Sequence, residues 1–561
     1  MSPAATTPRI GRGEVVSLLG VTAVFVLLLV TWAYVNPALH GPDEVANVDA
    51  VLHLAMGQSW PHPGDLHYVQ GLLAQNVPNH LPPAAERGTF AAIVGDGTEN
   101  ELVNPMSQHP PTWFLVQAIV AHVIDFASHR WDLVVLVWRL VDVVVAAPLP
   151  LLVWAAVRRA TRSPRLAVSA AVALLAVPQL LQLTSSVSVW VPVITAGALA
   201  TWLGVRVLTG DRSWWTALAL GGALAVGTAV MAGGVMAVPF ALLAVLLARS
   251  DGAGGRALGV LGRVLRAVVV LAVPLVTTGW WYLAQLVRTG TPQPDSYPAV
   301  VLRWPRLEGP DGVQFAGVFW NGLSNSFWGQ LGRYEWPLSP ILVDTFTVLA
   351  LTVLVWGVSR RSTDRRVLAV AGVFPLTALV VVVVRDWATY AGHLGVNVNQ
   401  GRFLFPAVAA LLVTQAVAWQ ALVVRREVRV RLARAALVVA PVVVVAALGL
   451  LYAGTYEELV FRVSAAGKQT LWGSLPLGRA PLGALVVAVG VLGAATIVIA
   501  WRWFGSTRTV GSTDDTTATA PTTTGTGDTT ATADTTTTTT TDPLPDSDAG
   551  PTMPARLPAD R

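Results

Sequence analysis

The chain has 561 residues, of which 53% are hydrophobic and only 12% are charged. Because a soluble globular domain carries about 25% charged residues, lipid is the expected solvent for most of this chain. Cysteine is absent, which excludes disulfides, thiolate metal sites and a cysteine nucleophile. The net charge is +5, but the arginines lie in short loops between apolar segments. This pattern indicates membrane topology and no nucleic-acid partner.

Thirteen apolar segments have the length of a membrane span or come close to it. A spanning helix needs about 20 apolar residues, and it satisfies its own backbone without water. The segments lie at residues 15–35, 112–128, 132–157, 166–184, 188–208, 214–230, 232–248, 267–287, 341–358, 367–385, 402–424, 435–453 and 483–503. They predict an all-α polytopic transmembrane helical bundle of about 12–13 segments. We interpret the first as an uncleaved span, because no small-residue cleavage site follows it.

Arginine-rich loops set the predicted orientation of this bundle. Four such loops are expected in the cytoplasm, at residues 158–165, 249–266, 360–366 and 425–434. By alternation, four other loops face outside, at about residues 36–111, 288–340, 386–401 and 454–482. Between the outer loop 36–111 and the cytoplasmic loop 158–165 the chain must cross the membrane an odd number of times, but two apolar segments lie there. One of these two segments therefore does not span. The candidate is 112–128, which is short and follows Pro110 and Pro111. Twelve crossings remain, with a cytoplasmic C-terminus.

The composition predicts two regions. Residues 1–504 form a polytopic membrane domain, and residues 505–561 form a Thr-, Asp- and Pro-rich tail with almost no apolar side chain to bury. Such a tail is expected to be disordered. The first outer loop, 36–111, is loop-like and too small for an independent domain, yet long enough for a lid. Residues 288–340 form the second large outer loop.

Two adjacent carboxylates follow the first span, in the sequence Gly41-Pro42-Asp43-Glu44. A carboxylate beside a lipid surface is partly desolvated, which raises its pKa and suits it to accept a proton from a sugar hydroxyl. The alternative is that these acids cap the helix that begins near Val45, since proline and early acids mark helix starts. The residues alone leave both interpretations open.

A rigid turn ends the first outer loop, with Gln108 and His109 directly before two prolines and Trp113. The prolines fix how the chain approaches the bilayer. A Pro-Asp-Glu element after the first span, followed by Gln-His-Pro-Pro and an aromatic residue, resembles the C-type (GT-C) glycosyltransferases. Those are polytopic enzymes that take a sugar from a polyprenyl-phosphate carrier.

Two later stretches bring the resemblance nearest to the DUF2142 family of bacterial membrane proteins. Asn325–Gly332 resembles the Ser-Phe-Trp-Gly turn of that family's late outer loop. Asn399–Pro406 resembles its Gln-Gly-Arg-Tyr-Leu-Phe-Pro start of a late span. The stretch Gly279–Tyr282 also fits the pattern of that family. The resemblance depends on the order of these motifs over residues 41–406.

Read as residues alone, the same positions allow other interpretations. Arg402, at the outer start of a span, can hold a lipid phosphate by paired hydrogen bonds or snorkel to the headgroups. The aromatic residues of 325–332 also suit an interfacial belt.

Arg139 and Asp142, three apart on a helix, are predicted to neutralise each other within the membrane. His393 has no partner at ligand spacing, so no metal site is predicted.

Three positions depart from the family pattern, each toward lower polarity. Asn47 stands where a histidine is common after Pro-Asp-Glu. Val189-Trp190 replaces an Asn-Asp pair, and Ala284-Gln285 replaces Arg-Asn. These losses keep open the alternative of a catalytically degenerate scaffold or binding subunit.

The resemblance implies a GT-C-like fold and transfer of a sugar from a polyprenyl-phosphate donor to a cell-envelope glycan or lipid, with inversion at the anomeric carbon. The reaction is expected at the outer face of a bacterial plasma membrane, without a cofactor. Asp43 is the expected base, and Glu44 is the second choice. The expected substrate-binding residues are Gln108, His109, Asn399, Gln400 and Arg402, of which Arg402 binds the carrier phosphate.

A second alternative is a transporter or flippase of a lipid-linked saccharide. A transporter places polar or helix-breaking residues near the midplane of paired segments, whereas the motifs here collect at the outer boundary. The enzyme interpretation makes one geometric prediction. Asp43, His109 and Arg402 should line one cavity that opens to the outer leaflet.

Overall fold

The computed structural model describes residues 9–76, 80–248, 259–294, 310–361, 363–392 and 400–506. Within these ranges most of the chain is helical, strands form only two short antiparallel ribbons, and the predicted all-α polytopic bundle is confirmed. His393, Asn399, part of the second outer loop and nearly all of the predicted tail lie outside the described residues. The tail boundary therefore stays a prediction.

The helices follow one another along the chain as α1 (Arg12–Val35), α2 (Glu44–Ala55), α3 (Gln70–Gln75), α4 (Phe90–Val94), α5 (Thr112–Val123), α6 (Trp131–Ala146), α7 (Leu149–Thr161), α8 (Pro164–Ala173), α9 (Pro178–Thr184), α10 (Trp190–Leu208), α11 (Trp214–Val230), α12 (Val238–Leu246), α13 (Val260–Thr289), α14 (Gly312–Trp328), α15 (Pro340–Ser359), α16 (Arg365–Ala391), α17 (Val408–Leu422), α18 (Arg426–Tyr456), α19 (Ala465–Ser474) and α20 (Arg479–Gly505). Strand β1 (His67–Val69) pairs with β2 (Glu99–Val103), and β3 (Gln330–Leu331) pairs with β4 (Trp336–Pro337).

Each of the thirteen predicted apolar segments coincides with helix in the described chain. Nine helical stretches there are long and apolar enough to cross a membrane, and a bent pair over Pro164–Thr184 makes a tenth if it counts as one span. The pair bends by 75° just before Pro178, whose ring cannot continue the preceding helix. Twelve crossings were predicted. The difference lies in α11 and Ala232–Leu246, which are shorter apolar helices.

Helix α5 is one of these shorter helices, with 12 residues in Thr112–Val123. At about 1.5 Å per residue it covers about 18 Å, well under the roughly 30 Å of a hydrocarbon core. Its length agrees with the prediction that segment 112–128 does not span. By contrast, α14 lies in the predicted outer loop 288–340 and was not foreseen.

Helix α10 forms the centre of the bundle. In its most apolar stretch 78% of the residues are buried, against 6% in α20. It packs against α7, α11, α12 and α17. A Cβ at Gly197 would lie 2.0 Å from the carbonyl oxygen of Pro406, so only glycine allows this close approach. The contact places the short 3₁₀ helix Gly401–Ala407 beside the first half of α10.

The loops predicted on the outer side are joined by charged side chains. Arg87 of the first loop pairs with Asp132 at 2.6 Å and donates to the carbonyl of Gly473 at 2.5 Å. Arg333, between β3 and β4, donates to the carbonyl of Asn76 at 2.5 Å. These bonds join segments of the predicted outer loops that are distant in sequence.

Candidate active site

Asp43 stands immediately before α2 in the left-handed region, with φ 54° and ψ 16°. Its side chain makes no capping hydrogen bond to the helix, so the capping interpretation is wrong for Asp43. Its carbonyl instead accepts from the side-chain amide of Asn47 at 2.8 Å. The Asn47 oxygen accepts from the backbone N–H of Val189 at 3.2 Å. Asn47 thus ties the backbone before α2 to the start of α10 and leaves the Asp43 carboxylate for another partner.

That partner is Arg402, whose Nη1 donates to Oδ2 of Asp43 across 359 residues of sequence. The two side chains differ in their exposure. Arg402 is 11% exposed and Asp43 is 38% exposed. The guanidinium is therefore enclosed by protein, whereas the carboxylate has an open side.

Three aromatic rings surround the Arg402 guanidinium. Its Cζ lies 5.5 Å from the ring centroid of Tyr334 and 5.8 Å from those of Trp190 and Phe403. These distances are within the range of cation–π attraction. Trp190 and Phe403 also meet edge to face, with centroids 5.0 Å apart. The rings hold the cation in place and exclude water from most of it.

The backbone that carries Arg402 is fixed as well. The N–H of Gly401 donates to Oγ of Ser326 at 2.7 Å. A Cβ at Gly401 would lie 2.3 Å from the backbone of Phe327, so a larger residue would push the two segments apart. The described part of the last stretch of the resemblance, 400–406, is therefore in direct contact with the stretch 325–332.

The hairpin that carries Tyr334 is anchored by α9. Oε1 of Gln179 accepts from the N–H of Gln330 at 2.8 Å, and Nε2 of Gln182 donates to the carbonyl of Gly332 at 3.1 Å. These bonds explain why the hairpin lies over Arg402. They also connect the bent helix pair to the candidate site.

His109 is buried beside the same arginine, and its carbonyl accepts from Nε1 of Trp60 at 3.2 Å. Burial, followed by the charges of Arg402 and Arg385, lowers the pKa of His109 to about 4. The imidazole is therefore neutral near pH 7. Its Nδ1 has no hydrogen-bond partner within the described chain, so a neutral donor or acceptor is available there. The Gln108 amide nitrogen lies 3.4 Å from Nε2.

Glu44, next to Asp43, has a different environment. It is fully buried and accepts four N–H bonds, two from Arg139 at 2.6 Å and one each from Gly41 and Val187 at 3.0 Å. Burial opposes its charge, but Arg139 and these bonds prevail, so the pKa of Glu44 is lowered. The bond back to Gly41 is a helix-start contact. With both oxygens occupied, Glu44 is poorly placed to act as a base.

The predicted pairing of Arg139 with Asp142 is wrong. Asp142 accepts instead from the N–H of Ser188 at 3.2 Å and from Gln117 at 3.3 Å. Besides Glu44, the Arg139 guanidinium donates to carbonyls at the end of α1, those of Ala33, Asn36 and Pro37, at 2.6–2.8 Å. Carbonyls at a helix end have no partner within the helix and can accept these bonds. Together with the two bonds to Glu44, they satisfy all five N–H groups of the guanidinium. Helical spacing alone did not reveal these distant acceptors.

The remaining predicted residues are placed as follows. Gln400 is half-buried, and its Oε1 has no hydrogen-bond partner within the described ranges. Asn399 lies outside those ranges. Among the described residues, no group of three or more His, Asp or Glu side chains is arranged to hold a metal ion. Sequence reasoning missed the contacts of Tyr334 and Trp190 with Arg402, because only the tertiary fold brings them together.

No family model matches the chain, and no curated protein matches it. Similar solved structures include ArnT from Cupriavidus metallidurans bound to undecaprenyl phosphate, with a TM-score of 0.46 and 16% identity over 88% of this chain and 75% of that chain. Another is the S. cerevisiae protein O-mannosyltransferase Pmt1-Pmt2 complex bound to the sugar donor, with a TM-score of 0.34 and 13% identity over 51% of this chain and 35% of that chain.

A third similar structure is the oligosaccharyltransferase AglB from Archaeoglobus fulgidus in complex with an inhibitory peptide and a dolichol-phosphate. Its TM-score is 0.37, with 14% identity over 87% of this chain and 56% of that chain. These neighbours are GT-C glycosyltransferases, the class that the sequence motifs resemble. Likeness at this level assigns no activity to this chain, and membership of the DUF2142 family stays a prediction.

Proposed function

We propose that this chain is an integral membrane glycosyltransferase. It transfers a sugar from a polyprenyl-phosphate donor to a cell-envelope glycan or lipid at the outer face of a bacterial plasma membrane. The observation that supports this best is the Asp43–Arg402 pair, beside the neutral His109. A carboxylate with an open side and an enclosed guanidinium are the base and the anion ligand that such a transfer needs.

The proposed reaction is a single displacement. The acceptor hydroxyl oxygen attacks the anomeric carbon while the Asp43 carboxylate takes the hydroxyl proton. The bond between the anomeric carbon and the phosphate oxygen breaks, and that oxygen keeps the electron pair. One displacement inverts the anomeric carbon, as the family resemblance implies, and the polyprenyl phosphate leaves.

Arg402 receives the carrier phosphate in this proposal. Negative charge grows on the phosphate as the bond breaks, and a guanidinium binds phosphate oxygens by two parallel hydrogen bonds. The aromatic rings exclude water, which strengthens this attraction. His109, whose Nδ1 has no partner among the described residues, orients a sugar or acceptor hydroxyl together with Gln108 and Gln400. We assign Asn399 to the same group on the family resemblance, and we assign Glu44 a structural role.

The test of this proposal is Asp43→Asn. Asparagine keeps the size of the side chain and still accepts a bond from Arg402, but it cannot take a proton. Transfer is expected to fall about a hundredfold or more, the typical contribution of positioned proton transfer. The assay follows a radiolabelled polyprenyl-phosphate sugar in membranes that hold each form at equal abundance. Glu335→Gln, which alters a nearby acid that pairs with Arg333, is the matched control and should retain activity.

Equal, non-zero turnover by Asp43→Asn and the unmutated chain would remove Asp43 as the base. No turnover by the unmutated chain, across a panel of donors and acceptors, would favour the scaffold alternative. Movement of an intact lipid-linked saccharide across the membrane, without cleavage, would favour the flippase alternative.

A further inference from the structure

We infer that the carrier phosphate displaces Asp43 from Arg402 when the donor binds, so that the base becomes free only once the donor is in place. This inference deepens the proposed function and rests on it. It adds an order of events: donor first, then release of the base, then deprotonation of the acceptor.

The two sides of the pair are not equally free to move. Arg402 is held by three rings, and the Gly401 backbone before it is bonded to Ser326 and packed against Phe327. The Asp43 backbone is also fixed, through its carbonyl, but its carboxylate is 38% exposed and makes no helix-capping bond. The pair therefore opens by rotation of one short, partly hydrated side chain while the arginine stays in place.

A phosphate is the stronger ligand for this arginine. The contact between Asp43 and Arg402 joins one guanidinium nitrogen to one carboxylate oxygen. A phosphate group instead bonds two guanidinium nitrogens at once, with added geometric preference. The displaced carboxylate loses little, because its open side lets water replace the lost bond.

The exchange has a chemical consequence for the base. While Oδ2 of Asp43 accepts from Arg402, that oxygen is engaged and is not available to an acceptor hydroxyl. Release frees the oxygen, so that it can face the hydroxyl and take its proton. After transfer, Asp43 carries the proton of the acceptor hydroxyl. It re-forms the pair only after this proton has passed to water and the carrier phosphate has left.

The experiment measures how readily Asp43 reacts with a water-soluble carbodiimide and an amine, by peptide mass spectrometry, in phosphatidylcholine nanodiscs. In the unmutated chain, labelling of Asp43 should be slow without carrier and rise about fivefold with undecaprenyl phosphate. Arg402→Gln should show the higher labelling without any carrier. Arg333→Gln, which alters a neighbouring arginine of the hairpin, should leave labelling of Asp43 unchanged.

Two further arms identify the source of the phosphate. Nanodiscs that contain phosphatidylglycerol but no carrier, and nanodiscs with inorganic phosphate, should both leave Asp43 slow to react. An equal rise with phosphatidylglycerol or inorganic phosphate would overturn the inference that the carrier is the displacing ligand.

The outcomes separate this inference from the proposed function. If sugar transfer occurs but undecaprenyl phosphate leaves Asp43 labelling unchanged, the exchange is wrong and the glycosyltransferase proposal stands. If labelling rises with the carrier but no donor supports transfer, the exchange stands and the proposed activity is wrong. If the unmutated chain without carrier already reacts as fast as Arg402→Gln, the pair does not mask the base and the inference is overturned.

Discussion

Two adjacent carboxylates at the start of α2 form two different ion pairs with arginines from distant helices. Glu44 and Arg139 are 0% and 2% exposed, and each of their hydrogen-bonding groups is engaged. Asp43 makes a single contact with Arg402 and remains 38% exposed. In a buried pair whose hydrogen-bonding groups are all occupied, neither side chain can take a new partner. In a pair with one exposed side chain, a new partner can replace it. Of two carboxylates that are adjacent in sequence, Glu44 is thus suited to a structural role and Asp43 to a chemical one.

The electrostatic reason for this difference is the cost of desolvation. Taking two charges out of water is offset only when good geometry and additional hydrogen bonds satisfy both groups. The Glu44–Arg139 pair meets that condition with backbone groups from the end of α1 and from Val187. Asp43 needs no such support because water reaches it. The comparison predicts that the two pairs respond very differently to loss of their arginine.

Arg139→Met is expected to produce the largest loss of stability. The variant leaves the Glu44 carboxylate buried without its counter-ion and frees the carbonyls at the end of α1. Removing one partner of a buried pair costs about 3 to 5 kcal/mol. Unfolding by sodium dodecyl sulfate in mixed micelles, followed by tryptophan fluorescence, measures the change in the free energy of unfolding.

The double variant Arg139→Met with Glu44→Gln is the matched control. It removes the uncompensated charge, so part of the lost stability should return. If Arg139→Met alone unfolded at the same detergent fraction as the unmutated protein, the buried pair would not be the structural member of the two.

A third carboxylate on α2 extends the comparison. Asp49 is buried like Glu44, but its hydrogen-bond partners are neutral, the side chain of Asn104 at 2.8 Å and the N–H of Val69 at 2.9 Å. Burial, which these bonds only partly offset, together with the nearby charge of Glu99, raises the pKa of Asp49 to about 7. The same helix therefore buries one charged acid and one that is half protonated near neutral pH.

Stability should consequently depend on pH through Asp49. The folded pKa of about 7 lies above the ordinary value of 3.8, so the folded state binds the proton more tightly than the unfolded chain. Its contribution is fully present below about pH 4 and is lost as the pH rises through 7. Between pH 5 and pH 7 the free energy of unfolding should fall by about 2 kcal/mol.

Asp49→Asn should abolish this slope, because asparagine has no proton to lose. The same detergent titration at pH 5, 6, 7 and 8 measures it. Asp65→Asn, an acid elsewhere in the first outer loop, should keep the slope of the unmutated protein. Identical slopes for Asp49→Asn and the unmutated protein would show that Asp49 is ionised in the folded state over this range.

The sequence predicted the membrane architecture because that signal is local. A run of apolar residues is a property of consecutive positions, and each of the thirteen runs coincides with helix in the described chain. The bend at Pro178 and the short α5 follow from the same local chemistry. The missed helix α14 contains Gly317, Gly322 and several polar residues, so its apolar signal was too weak to suggest a helix.

The candidate site was predictable only in part. The motif order indicated Asp43 and Arg402, but nothing local distinguished Asp43 from Glu44. That distinction depends on Arg139, 95 residues further along the chain. The i, i+3 spacing suggested Asp142 as the partner of Arg139, and tertiary acceptors prevailed. The rings of Trp190 and Tyr334 around Arg402 likewise come from separate parts of the fold.

Arg402→Gln is expected to have the smallest effect on stability and is the sharpest test of the comparison. Asp43 loses its partner, but its carboxylate is partly hydrated, so a pair of this kind contributes about 1 kcal/mol or less. Loss of the cation from the three rings, which leave only 11% of the Arg402 side chain exposed, adds about 1 to 2 kcal/mol. The total, about 1 to 3 kcal/mol, is below the cost of about 3 to 5 kcal/mol expected for Arg139→Met. Both variants are measured in the same detergent titration, with Arg333→Gln as a control for the loss of a charge in this region. If Arg402→Gln destabilises the protein as much as Arg139→Met, the Asp43 pair is structural like its neighbour, and a carrier phosphate could not exchange with it without unfolding the site.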